Sequence, residues 1–235
     1  NTAAAAAIAS LKVSELDPEG LVLLLASDHL IKQPAILRQA ICDGTEAACA
    51  NKIVIFGIKP TKPETGYGYI KMGSSMAHFK NVYKVNEFVE KPDKKTAESY
   101  FKSGRYLWNS SLFLFKPSSY LSELGKLKPE IATGSKKAFL EARMDLVFLR
   151  LNEDAFNSIP PISIDYAVME KTQNAAMVSV NPGWSDIGSW DALWETLEKD
   201  DLNTATIGDV ISHETRNTLI HSTSRLVTAI GLDNI

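Results

Sequence analysis

The sequence predicts an α/β protein whose sheet is built from βαβ units, with a separate β element following it. Three observations carry this. Leu21–Leu25 is an unbroken apolar run, short enough to be a strand buried on both faces as in a parallel sheet. IVIFG, 53–57, is a second such run, and a helical pattern separates the two; strand, helix, strand at this spacing is a βαβ unit. After Asp200 the helical signal stops and short β-like runs with turns take over, which puts a boundary near 200–205.

In order, residues 2–10 are Ala-rich and read as a helix, and LKVSELDPEG as a connector ending in a turn. The strand at 21–26 runs into Ser27 and Asp28. Ligands of open α/β sheets sit outside the carboxyl ends of strands, so Asp28 is either a ligand-facing carboxylate or a cap for the helix to come. From Pro34 to about Ala50, Ile36, Leu37, Ala40 and Ile41 recur at helical spacing; Asp43 and Gly44 interrupt them, leaving one helix or two. KPTKPETGYG, 59–68, is a loop whose Thr65–Gly68 stretch allows close backbone approach to a ligand or makes a tight turn before YGYIKM. Residues 83–89 alternate as a strand and end in Glu90-Lys91-Pro92; 94–103 form a short amphipathic helix closed by Gly104. YLWNSSLFLFKP carries a polar triplet, Asn109–Ser111, inside an apolar strand, a bulge or a ligand-facing site. Residues 118–149 read as mainly helical, 163–171 as a helix with Ser163 as N-cap, and 176–180 as a strand. In 183–199, Ser189 caps a helix with Trp190, Leu193, Trp194 and Leu197 on its apolar face.

Composition narrows the function classes. The 235 residues are 45% hydrophobic and 23% charged, as in ordinary globular proteins. A net charge of −3 gives no basic excess to hold a nucleic acid. No apolar run reaches membrane-spanning length, and no signal peptide is visible. Cys42 and Cys49 are too few for a disulfide framework, fall on one side of a helix and read as buried thiols; a reducing cytoplasm fits them. The opening NTAAAAAI lacks an initiating methionine, so both ends are expected to be cut. His29, His78, His213 and His221 show no metal-ligand spacing. Trp184, Trp190 and Trp194 read as core, and Lys94-Lys95 as a solvated helix start.

Asp28, the Glu90-Lys91 pair and Asp186 fall at strand ends. Two converging carboxylates can hold Mg²⁺, which takes oxygen ligands at roughly 2.0–2.1 Å and is usually bound by one or two carboxylates plus substrate phosphates. A lysine beside them offers a compact charge for phosphate. This combination suits phosphoryl or nucleotidyl transfer.

ASDHLI, TGYGYI, FVEKP, WNSSLF, SIDYAVMEK and GWSDIGSW follow one another in that order. Together they resemble the sugar-1-phosphate nucleotidyltransferases, and within that family the branch that transfers GMP from GTP to mannose 1-phosphate, giving GDP-mannose and pyrophosphate. The resemblance implies a three-layer α/β/α, Rossmann-like catalytic domain over 1–200, truncated at its N-terminus, and the start of a C-terminal β-helix-like segment over 205–235. It implies Asp28 and Asp186 as Mg²⁺ ligands and Lys91 on the sugar's phosphate. It further implies Glu90 on sugar hydroxyls, Gly68 and Asn109 lining the sugar pocket, Asp165 at the sugar site or the helix start, and Asn1 and Thr2 near the nucleoside. The mechanism the resemblance implies is direct attack of the sugar's phosphate on the α-phosphorus of GTP, with no general base needed because that phosphate is already ionised.

The departures are specific. The family's G-x-G-x-R-L-W-P segment, which cradles the triphosphate, is not among these residues, nor is the phosphomannose isomerase domain of some relatives. Ser111 stands where the family usually has Gly, and Ser27 alters its Pro-Ala-Asp-His pattern. The rival readings are UTP or dTTP with glucose 1-phosphate, a non-catalytic sugar-nucleotide-binding regulatory paralogue, and a glycosyltransferase, for which no Asp-x-Asp motif is present. A homo-oligomer stays open.

Overall fold

The computed structural model describes residues 2–235; Asn1 lies outside the described residues. In chain order the elements are α1 (Thr2–Leu16), β1 (Val22–Leu24), β2 (Leu30–Ile31), α2 (Pro34–Cys49), β3 (Ile53–Ile58), β4 (Tyr69–Ser75) and β5 (Val82–Val89). Then come α3 (Lys94–Ser103), β6 (Tyr106–Phe115), α4 (Pro117–Leu127), α5 (Pro129–Leu140), β7 (Arg143–Asp145), β8 (Phe148–Arg150) and α6 (Glu153–Asn157). A π-helix at Asp165–Met169 precedes β9 (Ala175–Val180), β10 (Trp184–Ser185), α7 (Trp190–Thr196), β11 (Ala205–Ile207), β12 (Val210–His213), β13 (Leu219–His221) and β14 (Val227–Ile230). The chain divides into two compact units: one of residues 1–27 and 33–182, the other of 28–32 and 183–235.

The first unit is a six-stranded sheet, ordered β1-β6-β3-β9-β5-β4, with β4 also paired to β6. β3 is buried along its whole length and sends alternate side chains to opposite faces. Ile53 and Ile55, with Phe113, Phe115 and Met177, join Ala3, Ala7, Tyr120 and Leu124 from α1 and α4. Val54, Leu114 and Val178 meet α2 on the other face, against Gly44. Helices therefore cover both faces and give the expected three layers.

The sheet is mixed rather than parallel. Only β3 and β9 run parallel as neighbours; β6 slots between β1 and β3, antiparallel to both. β1 is accordingly a three-residue edge strand, buried only at Val22, and not the doubly buried strand its apolar run predicts. α1 runs to Leu16, into the first six residues of the stretch read as a connector from the sequence. α2 is one helix: Gly44 lacks a side chain where a Cβ would come within 3.1 Å of Val54, so it permits close packing rather than a break. The 118–149 stretch is two helices and a β7–β8 hairpin. Cys42 and Cys49 are exposed, not buried.

In the second unit, β11 pairs parallel with β13 and β12 parallel with β14. Parallel pairing of such short, closely spaced strands is the pattern of successive coils stacked on each other. Thr204 and Thr218 are buried between them, and each donates its hydroxyl to a turn carbonyl, of Thr215 and Arg216 respectively. α7 is capped by Ser189, whose Oγ accepts from the Ala192 amide, but the helix ends at Thr196 and leaves Trp190 68% exposed. Among the described residues no helix is long and apolar enough to cross a membrane.

Candidate functional site

Five predicted residues, Gly68, Glu90, Lys91, Asn109 and Asp165, come together in the first unit, and sheet register is the reason. β4 and β5 pair Tyr69 with Val89, so Gly68 and Glu90 emerge at the same end. β6 pairs Trp108 with Tyr69, and the next step of that ladder is a 2.8 Å bond from the Asn109 amide to the Gly68 carbonyl. The packing leaves no room at Gly68: a Cβ there would run into Glu90 Oε2 and lie 3.2 Å from Asn109 Cβ.

The polar triplet is a bulge. Between the Gly57–Asn109 and Ile55–Phe113 pairs, β6 spends more residues than β3. Ser111 takes φ +56° to accommodate them. The bulge turns Asn109 inward. Its Nδ2 donates to Asp165 Oδ1 at 2.8 Å, and its Oδ1 accepts from the Ser111 amide at 3.1 Å. Ser110 donates to the Phe56 carbonyl at 2.7 Å.

Asp165 opens the π-helix and is buried. Burial pushes its carboxyl above the ordinary range; hydrogen bonds from its own amide, Asn109 and Ser163, and the Lys91 charge, act in the opposite direction. Glu90 is pushed up to about 7, first by burial and then by the Asp165 charge, with Lys91 opposing and Glu170 adding to the rise. Glu90 Oε2 is buried without a hydrogen-bond partner among the described residues. Buried polar atoms are rarely left so. Two crowded carboxyl groups, one with an oxygen unsatisfied, suit a ligand that presents hydroxyl donors.

Thr2 is tied to the same region. Its Oγ1 accepts from the Ile164 amide at 2.9 Å, and the Ala3 amide donates to the Ile162 carbonyl at 3.3 Å. Tyr120 donates to the Ala3 carbonyl at 2.9 Å. The start of α1 therefore holds the segment that leads into Asp165. The nucleoside contact expected at Asn1 lies outside the described residues.

Asp28 and Asp186 belong to the second unit. β2 and β10 form a two-residue antiparallel ribbon, pairing Ile31 with Trp184 and Leu30 with Ser185. Asp186 directly follows β10, and Asp28 and His29 directly precede β2, so all three lie just outside the paired residues. His29 Nδ1 accepts from Trp184 Nε1 at 3.1 Å, edge-on at 5.4 Å, so this histidine is satisfied by its neighbour. Asp186 Oδ1 accepts from the Gly188 amide at 3.0 Å across a turn in which Ile187 has φ +47°. Asp28 is exposed and Asp186 half-buried. Carboxylates are hard oxygen donors of the kind a divalent cation that keeps most of its ligands from water and phosphate can use. Among the described residues no three His, Cys, Asp or Glu side chains gather into a cage.

Sequence reasoning missed two neighbours of these residues. Trp184 orients the residue beside Asp28, and Glu170 accepts the Glu90 amide at 3.2 Å. The only sequence signal for Glu170 is an acid closing the helix that Asp165 opens.

Comparison with known proteins gives a consistent picture. The chain is 47% identical over its whole length to a mannose-1-phosphate guanylyltransferase of Salmonella montevideo. It is 46% identical to the xanthan biosynthesis protein XanB of Xanthomonas campestris pv. campestris (strain B100), again over its whole length. It covers 50% and 49% of those proteins, so it spans about half the length of the curated relatives it matches. A crystal structure described as a mannose-1-phosphate geranyltransferase from Thermus thermophilus superimposes with a TM-score of 0.87 at 28% identity, covering 99% of this chain and 66% of that one. The family model described as nucleotidyl transferase matches residues 1–202. With six motifs in order, a three-layer α/β/α fold and these likenesses, the chain belongs to the nucleotidyl transferase family.

Proposed function

We propose that the chain is the part of a mannose-1-phosphate guanylyltransferase that transfers GMP from GTP to mannose 1-phosphate, with GDP-mannose and pyrophosphate as products. The observation that carries the proposal is the full-chain identity of 47% to a relative named for that activity. The convergence of Gly68, Glu90, Asn109 and Asp165 supports the sugar end of it. The catalytic segment in this reading is 1–200, and a β segment begins at 205. A cytoplasmic location goes with it.

Each residue then has a chemical task. The unsatisfied Glu90 oxygen accepts from a sugar hydroxyl, which relieves the cost of leaving it buried and unpaired. Asn109 and Asp165, already bonded to each other, hold a fixed edge against the ring, and Gly68 allows the ring to approach the backbone. Lys91 places a positive charge at the sugar phosphate and lowers the repulsion between that dianion and the nucleotide. Asn1 and Thr2 contact the nucleoside. Asp28 and Asp186 hold Mg²⁺, which when bound neutralises phosphate charge and orients the triphosphate. In the chemical step a phosphate oxygen of mannose 1-phosphate forms a bond to the α-phosphorus of GTP. The bond from that phosphorus to the bridging oxygen of the β-phosphate breaks, and pyrophosphate leaves with the electron pair. The protein moves no proton, because the attacking phosphate is already ionised.

The test is pyrophosphate release with Mg²⁺, offering GTP with mannose 1-phosphate against UTP or dTTP with glucose 1-phosphate. Release only with the first pair is expected. Release with another pair moves the substrate assignment, and no release with any pair removes the enzymatic reading.

A further inference from the structure

We infer that Glu170 is a positioning residue for the sugar-phosphate site: its carboxylate pins the Glu90 amide and so fixes the Glu90-Lys91 turn over the pocket. The inference rests on the function proposed above for that pocket.

The segment concerned is short and held at both ends. On one side β5 finishes at Val89, paired with Tyr69. On the other, Asp93 caps α3 by accepting from the Thr96 amide at 2.8 Å. Between them lie Glu90, Lys91 and Pro92. Proline has no amide to donate, and Lys91 sits at φ +47°, a conformation that costs a non-glycine residue energy and persists only where its surroundings enforce it. The Glu90 amide faces no strand partner and donates to Glu170 Oε1 at 3.2 Å. That bond ties the end of β5 to the end of the π-helix whose first residue is Asp165. The helix thus carries a site carboxylate at its start and, at the residue just past its end, the tether for the Glu90-Lys91 turn. The cation that opposes the Glu90 and Asp165 carboxylates is Lys91, the residue whose backbone the tether constrains. Glu170 reaches a main-chain group, so its acid at the helix end does not by itself reveal the contact.

Two substitutions separate the tether from mere stability. Glu170→Gln keeps an oxygen that can accept from the Glu90 amide; Glu170→Ala does not. Calorimetric binding of mannose 1-phosphate to the full-length protein, without GTP, reads the pocket independently of turnover. Deuterium exchange across 86–92 reads the tether itself. Loss of one hydrogen bond of ordinary strength predicts that E170A weakens sugar-phosphate binding about three- to tenfold and speeds exchange at Glu90. E170Q is expected to stay within about twofold of the parent on both, and GTP binding to be unchanged in either variant. Unchanged sugar-phosphate binding in E170A overturns the inference, as does an equal loss in E170Q. A parent protein that binds no mannose 1-phosphate overturns the functional reading instead, and exchange at Glu90 then decides the tether: faster in E170A keeps it, unchanged removes it.

Discussion

Gly68 and Gly188 each stand against a carboxylate, and the two carboxylates are built into the protein in opposite ways. A Cβ on Gly68 would meet Glu90 Oε2, an oxygen buried among β4, β5 and β6. A Cβ on Gly188 would come within 2.8 Å of Asp186 Oδ2, at the open end of a two-residue ribbon. The first carboxylate is held by a sheet and desolvated in advance. The second has a local turn for support and keeps access to water. A pocket that distinguishes one neutral hydroxylated ring from another gains from rigid, desolvated groups. A site for a hydrated cation that arrives with phosphates gains from solvated ones. Substitutions in the first region are therefore expected to disturb fold and binding together, and those in the second to disturb activity alone.

The largest expected effect tests the second half of that statement. Asp186→Asn keeps an oxygen for the Gly188 amide and removes the charge. Pyrophosphate release is expected to fall by about three orders of magnitude, on the order of 4 kcal/mol of barrier. The thermal midpoint should stay close to the parent's. Turnover at the parent level would sink the metal assignment.

Gly68→Ala comes next and tests the first half. The added methyl displaces Glu90 and presses on Asn109. Sugar-phosphate KM is expected to rise at least about tenfold, with a loss of about 1–3 kcal/mol in unfolding free energy. A variant with the parent's stability and KM would mean that the pocket wall yields, and the contrast between the two regions would collapse.

Glu90→Gln separates the two carboxylates through pH. Burial and the Asp165 charge raise the Glu90 carboxyl from 4.5 to about 7 in the folded protein. A raised pKa means that the protonated form stabilises the fold fully below pH about 4.5, and that this stability is lost as pH rises through about 7. Glutamine does not ionise, so the variant should match the parent at pH 4 and exceed it progressively up to about pH 7.5. The gain should level off at about 1–2 kcal/mol, after allowance for solvent screening of a half-buried group. Thermal melts of both proteins across that range check it; parallel curves would show that Glu90 is not desolvated.

What was legible in the sequence follows the same division. Apolar runs and helical periods located most strands and helices, because each is local. The direction of the sheet was not legible: β6 lies between β1 and β3 although it follows them by dozens of residues, and no pattern in Leu21–Leu25 records an antiparallel neighbour. Gly44 read as a breaker because its packing partners, Val54 and Val178, are elsewhere in the chain. Residues 11–16 read as a connector, yet α1 continues through them because Val13 packs on the core. Asp28, Glu90, Lys91 and Asp186 are visible as charged positions read at strand ends, whereas Gly68, Asn109 and Asp165 take their place in the site only from the family resemblance. The supports of these residues are not visible, since Glu170 grips a backbone amide and the β2–β10 ribbon is too short to carry a period.

The smallest expected effect is the counterpart of Gly68→Ala. In Gly188→Ala the three atoms nearest the new methyl all belong to the Asp186 side chain, and the glycine has no left-handed backbone that would strain an alanine. The clash is with the end of a side chain beside exposed Gly188 rather than with backbone, so a small shift of the carboxylate relieves it. Unfolding free energy should therefore change by no more than about 0.5 kcal/mol. That shift moves a proposed Mg²⁺ ligand, so the Mg²⁺ concentration for half-maximal pyrophosphate release should rise, by about tenfold or less. Urea melts read the first quantity and a Mg²⁺ titration the second. A methyl that costs as much stability here as at Gly68 would mean that Asp186 is packed as tightly as Glu90, and the two carboxylates would then owe their different tasks to something other than how firmly the fold holds them.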